Sequence, residues 1–421
     1  MASIEIRSLL TRSWIRCVAL VVLLTAFTHF EPLPTAILDL DLWWHLRGGD
    51  SIVAQHTFPH HAVFTQHAER PWIDYSWGFE VIVSGLYHWF GLMGLVGLRV
   101  ALEVVIAAVL FVFLERMVRS FWPAWLLTAV GMWAMHHCLN TRPMLFSIVL
   151  FAVELGLIFE ARKRATARPL WFLPPLLMLW ANMHIQFFYG VVVLGLLLAV
   201  TIVQVLVRNN WKWFHAAPRL RLHDVAVVTA FSLLATLLGP YRWHLYSVLF
   251  DYARSTVPYA LIMELQALNF RVPSHFVLVL TIGAAFFALG WRRTRDAYKL
   301  LLLALCTVIA LRMNRDSWVG AIPALLIIAD RETDPAEESD RSWRRRFYFA
   351  IATGAGTCLM LLSVAWDQRI DNDLLNRTVA LNFPTNACEF IRAHSLPGPL
   401  YNDANWGGVP DLEAARLPRS D

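Results

Sequence analysis

A chain of 421 residues that is 57% hydrophobic, 13% aromatic and only 16% charged cannot hide its apolar surface inside a soluble core, so it reads as a polytopic membrane protein. Its formal charge of +5 does not indicate a nucleic-acid partner, because the basic residues fall in short clusters between apolar runs rather than along one face. The five Cys are scattered without C-x-x-C or Cys/His ligand spacing, which gives neither a disulfide framework nor a zinc site.

In chain order, Arg7, Arg12 and Arg16 precede the apolar run CVALVVLLTAF, and no small-x-small cleavage site follows it. The segment is expected to remain as a signal anchor. A bilayer core of ~30 Å takes about 20 apolar residues of helix. Runs of that kind predict spans at 14–31, 92–115, 121–138, 143–160, 169–186, 187–207, 223–239, 275–291, 299–312, 317–330 and 347–366. That is an all-α protein with about 11 transmembrane helices, within a range of roughly 10 to 13. The stretch WGFEVIVSGLYHWFG (77–91) predicts a further helix lying in the interface, one of several short extracytoplasmic juxtamembrane helices.

The basic clusters test this order of crossings. Arg116/Arg119, Arg162–Arg164/Arg168, Arg208/Lys212/Arg219/Arg221, Arg292/Arg293/Arg295/Lys299 and Arg341/Arg344–Arg346 all occupy alternate connections. With the N-terminus inside, every cluster is cytoplasmic. The other connections are then extracytoplasmic: 32–91, 139–142, the Asn182–His184 turn, 240–274, 312–316 and the tail from Asp367. They hold the unusual polar residues Asp39, Asp41, His45, Arg142, Asn182, His184, Tyr241, Glu264, Arg312 and Arg315. The domain division is a transmembrane domain over 1–366, with its first outer loop at 32–91, and an outer tail over 367–421.

The stretch ILDLDLWWHLRGG (37–49) concentrates the question of function. Asp39 or Asp41 suits the cap of a short helix, since a carboxylate accepts from the free amides of a first turn, and Gly48–Gly49 suits its end. Asp41 and His45 are four apart and share a face. A capped interfacial helix accounts for most of this, but not for two acids with a His one turn beyond. Such a set can hold a divalent cation, Mg or Mn, or act as a general base. Arg312 and Arg315 at the outer edge either snorkel or grip a lipid phosphate, which Arg binds bidentately. Arg99 and Glu103, four apart in one span, neutralise each other, whereas Glu154 lies deep in its span without an evident partner.

Taken in order, LDLDLWWHLRGGDSI, PWIDYSWGFEVI, TRPMLFSIVL, LWANMHIQFFYG, LGPYRWHLY, IMELQALNF and ALRMNRDSW resemble the GT-C superfamily of membrane glycosyltransferases, relatives of the protein mannosyltransferases and lipid A aminoarabinose transferases. The nearest resemblance is to a group of bacterial multi-pass proteins sharing that architecture. It implies inverting transfer of a sugar from a polyprenyl-phosphate donor to a glycan, lipid or protein acceptor at the outer face of the bacterial inner membrane. Asp39 and Asp41 would be the catalytic acids, removing the acceptor proton or holding a cation. Arg312, Arg315 and His184 would take the leaving phosphate, His45 would orient a carboxylate, and Tyr241 and Glu264 would line the acceptor side. Arg142 and Asn182 complete the substrate-binding set. The tail stretch LYNDANWGG resembles the same relatives, but the chain then runs VPDLEAARLPRSD, as expected of a truncated domain. The competing readings are a lipid-linked oligosaccharide ligase or polymerase, a transporter, or an inactive fold kept as an assembly partner.

Overall fold

The structure is a computed structural model that describes residues 13–29, 32–61, 71–207, 220–254, 262–330 and 343–396. Arg7, Arg12, Arg208, Lys212, Arg219, Arg341, the side chains of Arg344–Arg346 and the stretch LYNDANWGG lie outside the described residues.

Every apolar run carries a helix. α1 is Ser13–Ala26, followed by α2 (Leu40–Gln55) and α3 (Trp77–Phe90). The bundle continues with α4 (Leu92–Val118), α5 (Phe121–Met135), α6 (Met144–Lys163), α7 (Leu173–Met183), α8 (Phe187–Val207) and α9 (Leu222–Thr236). After the short α10 (His244–Arg254) come α11 (Pro273–Trp291), α12 (Ala297–Arg312), α13 (Trp318–Ala329) and α14 (Trp343–Asp367). Two further helices, α15 (Asn372–Asn382) and α16 (Thr385–Ala393), follow. No strand forms among the described residues beyond one isolated bridge, His61 with Pro71. Five helices, in α4, α6, α8, α11 and Tyr348–Asp367 of α14, are long and apolar enough to cross a membrane.

The core explains why some helices are short. α13 has only 12 residues, about 18 Å of helix, and nearly all of them are buried between α4, α5, α6, α11 and α12. A helix apolar all round belongs inside a bundle. Trp318 at its start is fully buried against Phe151 and Tyr189. Arg99 pairs with Glu103 at 2.8 Å as their spacing predicts. Glu154 is fully buried, and neither carboxyl oxygen has a hydrogen-bond partner among the described residues.

Helix ends gather at two poles. At one, Arg162 donates to Asp296 at 2.7 Å, Lys299 pairs with Asp330 at 2.7 Å, and Arg292 caps the C-terminal carbonyls of α13 at Ile327 and Ile328. The other pole collects 39–41, 142, 184, 264 and 314–316. α15 and α16 lie beside the α2–α4 part of that pole, where Asn372 accepts from Met93 N at 3.0 Å and Trp43 meets Phe383 edge to face. Leu375 and Cys388 are fully buried there.

One expectation is corrected. Gly48–Gly49 does not end a helix; α2 runs through it to Gln55. A Cβ at Gly48 would sit 1.9 Å from Glu80 Oε2, and one at Gly49 would sit 2.1 Å from the Glu80 carbonyl oxygen. The glycines let α2 and α3 cross in near-backbone contact, which is their other physical use.

Candidate functional site

Asp39 caps α2 from an extended backbone, its Oδ1 accepting from Asp41 N at 2.9 Å. Its Oδ2 accepts from Arg142 Nε at 2.7 Å. Arg142 reaches this point from the turn before α6, and its Nη1 lies 3.1 Å from Asp41 Oδ2 and 2.5 Å from Glu264 Oε2. Three carboxylates from two distant connections therefore enclose one guanidinium. The side chains differ in access: Asp39 is 7% exposed, Glu264 39% and Asp41 54%. Burial pushes the Asp39 carboxyl above its ordinary value against the pull of Arg142. Burial also works against the charge of Arg142, but the surrounding carboxylates outweigh it and keep the guanidinium charged.

A divalent cation at Asp39 and Asp41 would need oxygens that these residues give to Arg142 and to the Asp41 amide. Among the described residues no three acidic, His or Cys side chains converge as a ligand set. As placed, the two acids fit a guanidinium rather than a metal ion, and Arg142 supplies the positive charge beside Asp41.

The Glu264 turn carries the cluster onward. Asn314 N donates to Gln266 O at 2.8 Å, which ties the turn around Glu264 to the turn holding Arg315. Tyr75 lies within electrostatic reach of both Asp41 and Arg315, and its hydroxyl is 3.4 Å from that of Tyr252. Arg315 is two-thirds buried beside Asp316, which Gln186 holds at 2.5 Å and Tyr189 also hydrogen-bonds. Arg312 is exposed at the last turn of α12.

The remaining expected residues fall into place around this centre. His184 is buried, with Nδ1 2.8 Å from Ser147 Oγ, which accepts from Trp180 Nε1 at 2.8 Å. Burial and the nearby Arg315 hold its imidazole well below the usual value, hence neutral. Asn182 joins three groups: its Oδ1 accepts from Trp77 Nε1 at 3.1 Å, and its Nδ2 donates to Met178 O at 2.7 Å and Leu238 O at 2.9 Å. Tyr241 donates to Pro59 O at 2.8 Å and packs edge-on against Phe58 and His60, so it anchors the segment after α2. His45 shares a helix face with Asp41, yet its hydrogen bond runs to Glu80, Nδ1 to Oε1, at 2.9 Å.

Asp74, Glu80, Ser147, Gln186 and Asp316 join this pole without having been singled out in the sequence. Asp74 and Glu80 stand in PWIDYSWGFEVI, where acids flanked by aromatic residues are the available signal. A cavity of about 280 Å³ adjoins the cluster and is lined by Asp39, Arg142, Thr35, Arg99, Asn140 and Thr141. Compared with known proteins, the chain matches no family model and no curated protein.

Proposed function

We propose that the protein is a GT-C-type glycosyltransferase of the bacterial inner membrane, moving a sugar from a polyprenyl-phosphate donor to an acceptor at the extracytoplasmic face. The chain crosses the bilayer about eleven times with its N-terminus in the cytoplasm, so the acidic pole faces outward at headgroup depth. The observation that carries the reading is the convergence of Asp39, Asp41 and Glu264 on Arg142 at the pole that also holds Arg315 and His184.

Asp41 is the base. It is the most open of the three carboxylates, and Arg142 anchors it without covering it. An acceptor hydroxyl gives its proton to Asp41 as its oxygen attacks the anomeric carbon. The bond from that carbon to the phosphate oxygen breaks on the opposite face, which inverts the centre and leaves the electron pair on the phosphate. Arg315 faces the charge that develops there, and the neutral His184 donates from Nε2. A positioned base contributes about 10²–10⁴ in rate.

The test is to incubate the protein in lipid nanodiscs with a panel of polyprenyl-phosphate sugars, with and without Mg²⁺ or Mn²⁺. Transfer or release of sugar is expected, with a loss of at least about 100-fold in Asp41→Asn. Activity that survives both Asp39→Asn and Asp41→Asn refutes the mechanism. A ligase or polymerase relying on basic residues alone gives that second result.

A further inference from the structure

Behind Asp41 lies a second set of titratable groups that the proposed chemistry does not use. His45 stands one turn along the same face of α2, and its Nδ1 is 2.9 Å from Glu80 Oε1. The other Glu80 oxygen, Oε2, is buried against Gly48 and accepts no hydrogen bond among the described residues. Asp74, 5% exposed, interacts directly with Glu80 and accepts from Ser76 N at 3.1 Å. Two helices crossing through a Gly pair thus bring a carboxylate to the rear of an imidazole.

We propose that Glu80, backed by Asp74, is a positioning residue that holds His45 as the second proton acceptor behind Asp41. The inference rests on the glycosyltransferase reading, with Asp41 as first acceptor. Glu80 Oε1 accepts the Nδ1–H of His45, which fixes the tautomer and leaves Nε2 with a lone pair. This is the logic by which a carboxylate orients a catalytic imidazole. His45 Nε2 has no hydrogen bond to any described residue. Of the charges around the ring, Asp41 pulls most strongly on it, ahead of Asp74, Asp39 and Arg142. In the step itself the acceptor O–H bond breaks and the proton arrives on Asp41. It then passes to His45 Nε2 while the Nδ1 proton moves toward Glu80, which returns Asp41 to the ionised form. Water takes the proton between turnovers.

The environment is consistent with this division. Burial holds the His45 imidazole below its ordinary value, and it lifts Glu80 to about 7, where it can gain and lose a proton near neutrality. Burial and the neighbouring Glu80 charge lift Asp74 to about 9, so Asp74 stays protonated beside it. The other titratable groups facing the set are Tyr241, toward Asp74 and Glu80, and His184, toward His45.

The test has two readouts on protein in nanodiscs. The first is ¹⁵N NMR of the histidine side chains, with His45→Gln to assign the signal. In the native protein His45 is expected as one neutral tautomer, protonated at Nδ1, and in Glu80→Gln as a tautomer mixture. An unchanged tautomer in Glu80→Gln overturns the proposal, whether or not transfer is observed. The second readout is the pH profile of transfer. Glu80→Gln is expected to lower kcat about 100-fold and shift the acidic limb, with Glu80→Asp recovering part of it and KM little changed. A profile that superimposes on the native one overturns the relay. If Glu80→Gln fails to fold, Asp74→Asn, which keeps the carboxyl shape and charge of a protonated acid, must still move the acidic limb. An absence of any transfer in native protein counts against the glycosyltransferase reading and leaves the tautomer result standing by itself.

Discussion

Replacing Arg142 by Gln tests whether one guanidinium holds the acidic pole together. The substitution leaves Asp39, Asp41 and Glu264 facing each other without a cation. Asp41 and Glu264 are open enough for water to screen much of their charge, so their share is small. Asp39 is 7% exposed and cannot be rehydrated in place, and removing the partner of a buried charge costs about 3–5 kcal/mol. The loss is expected to depend on pH. Burial already lifts the Asp39 carboxyl above its ordinary value, and without Arg142 only the Asp41 amide opposes that shift. The variant's Asp39 therefore holds its proton to higher pH than the native one, and a raised carboxyl withdraws stability as pH rises through its folded value. The gap between native and variant should be largest near pH 7 and narrow toward pH 4.5. Thermal unfolding in nanodiscs across that range measures it, and Asp39→Asn/Arg142→Gln should recover part of the loss. A deficit below about 1 kcal/mol at pH 7, or one of equal size at both ends, refutes the assignment of Arg142 as the hub.

Two other perturbations report on the α2–α3 crossing. Gly48→Ala places a Cβ against Glu80 Oε2, so the carboxylate must move and the His45 bond must break. The expected cost is about 1–3 kcal/mol, read as a lowered unfolding temperature, and an Ala variant as stable as the native protein would exclude the close contact. Asp74→Asn removes a group whose folded value is near 9 against an ordinary carboxylate value, so the native protein gives up stability as pH rises from about 4 toward 9. The Asn variant should gain on the native protein by roughly 4 kcal/mol between pH 5 and 8, and parallel stability curves would contradict a buried acid at this site.

Local spacing made much of this legible. Each apolar run became a helix, Asp39 became the cap that its position before an apolar run suggested, and Arg99 met Glu103 four residues on. What failed was information held at a distance. Gly48–Gly49 follows the rule for a helix end, and nothing nearby says otherwise. The reason these positions are glycine is Glu80, on another helix. The partners of Arg142 lie around positions 40 and 264, and no local pattern pairs them with it. The Asn182 amide likewise joins groups near positions 77, 178 and 238, which no local pattern links. Periodicity reports which face of a helix is apolar, but not which polar groups the bundle brings together.

The two acids of LDLD divide their work according to geometry. Asp39 spends one oxygen on the amide that starts α2 and the other on Arg142, and it is nearly closed to solvent. Any proton it took would have to break a cap and an ion pair together, so it serves as a fixture. Asp41, in the first turn of the same helix, touches the guanidinium at longer range and stays more than half exposed. The motif thus places a fixed carboxylate and an available one two residues apart. The first sets the guanidinium, the guanidinium pairs with the second, and α2 carries His45 behind it. Neither acid by itself yields that arrangement, which is why a helix cap needs one carboxylate and this pole uses two.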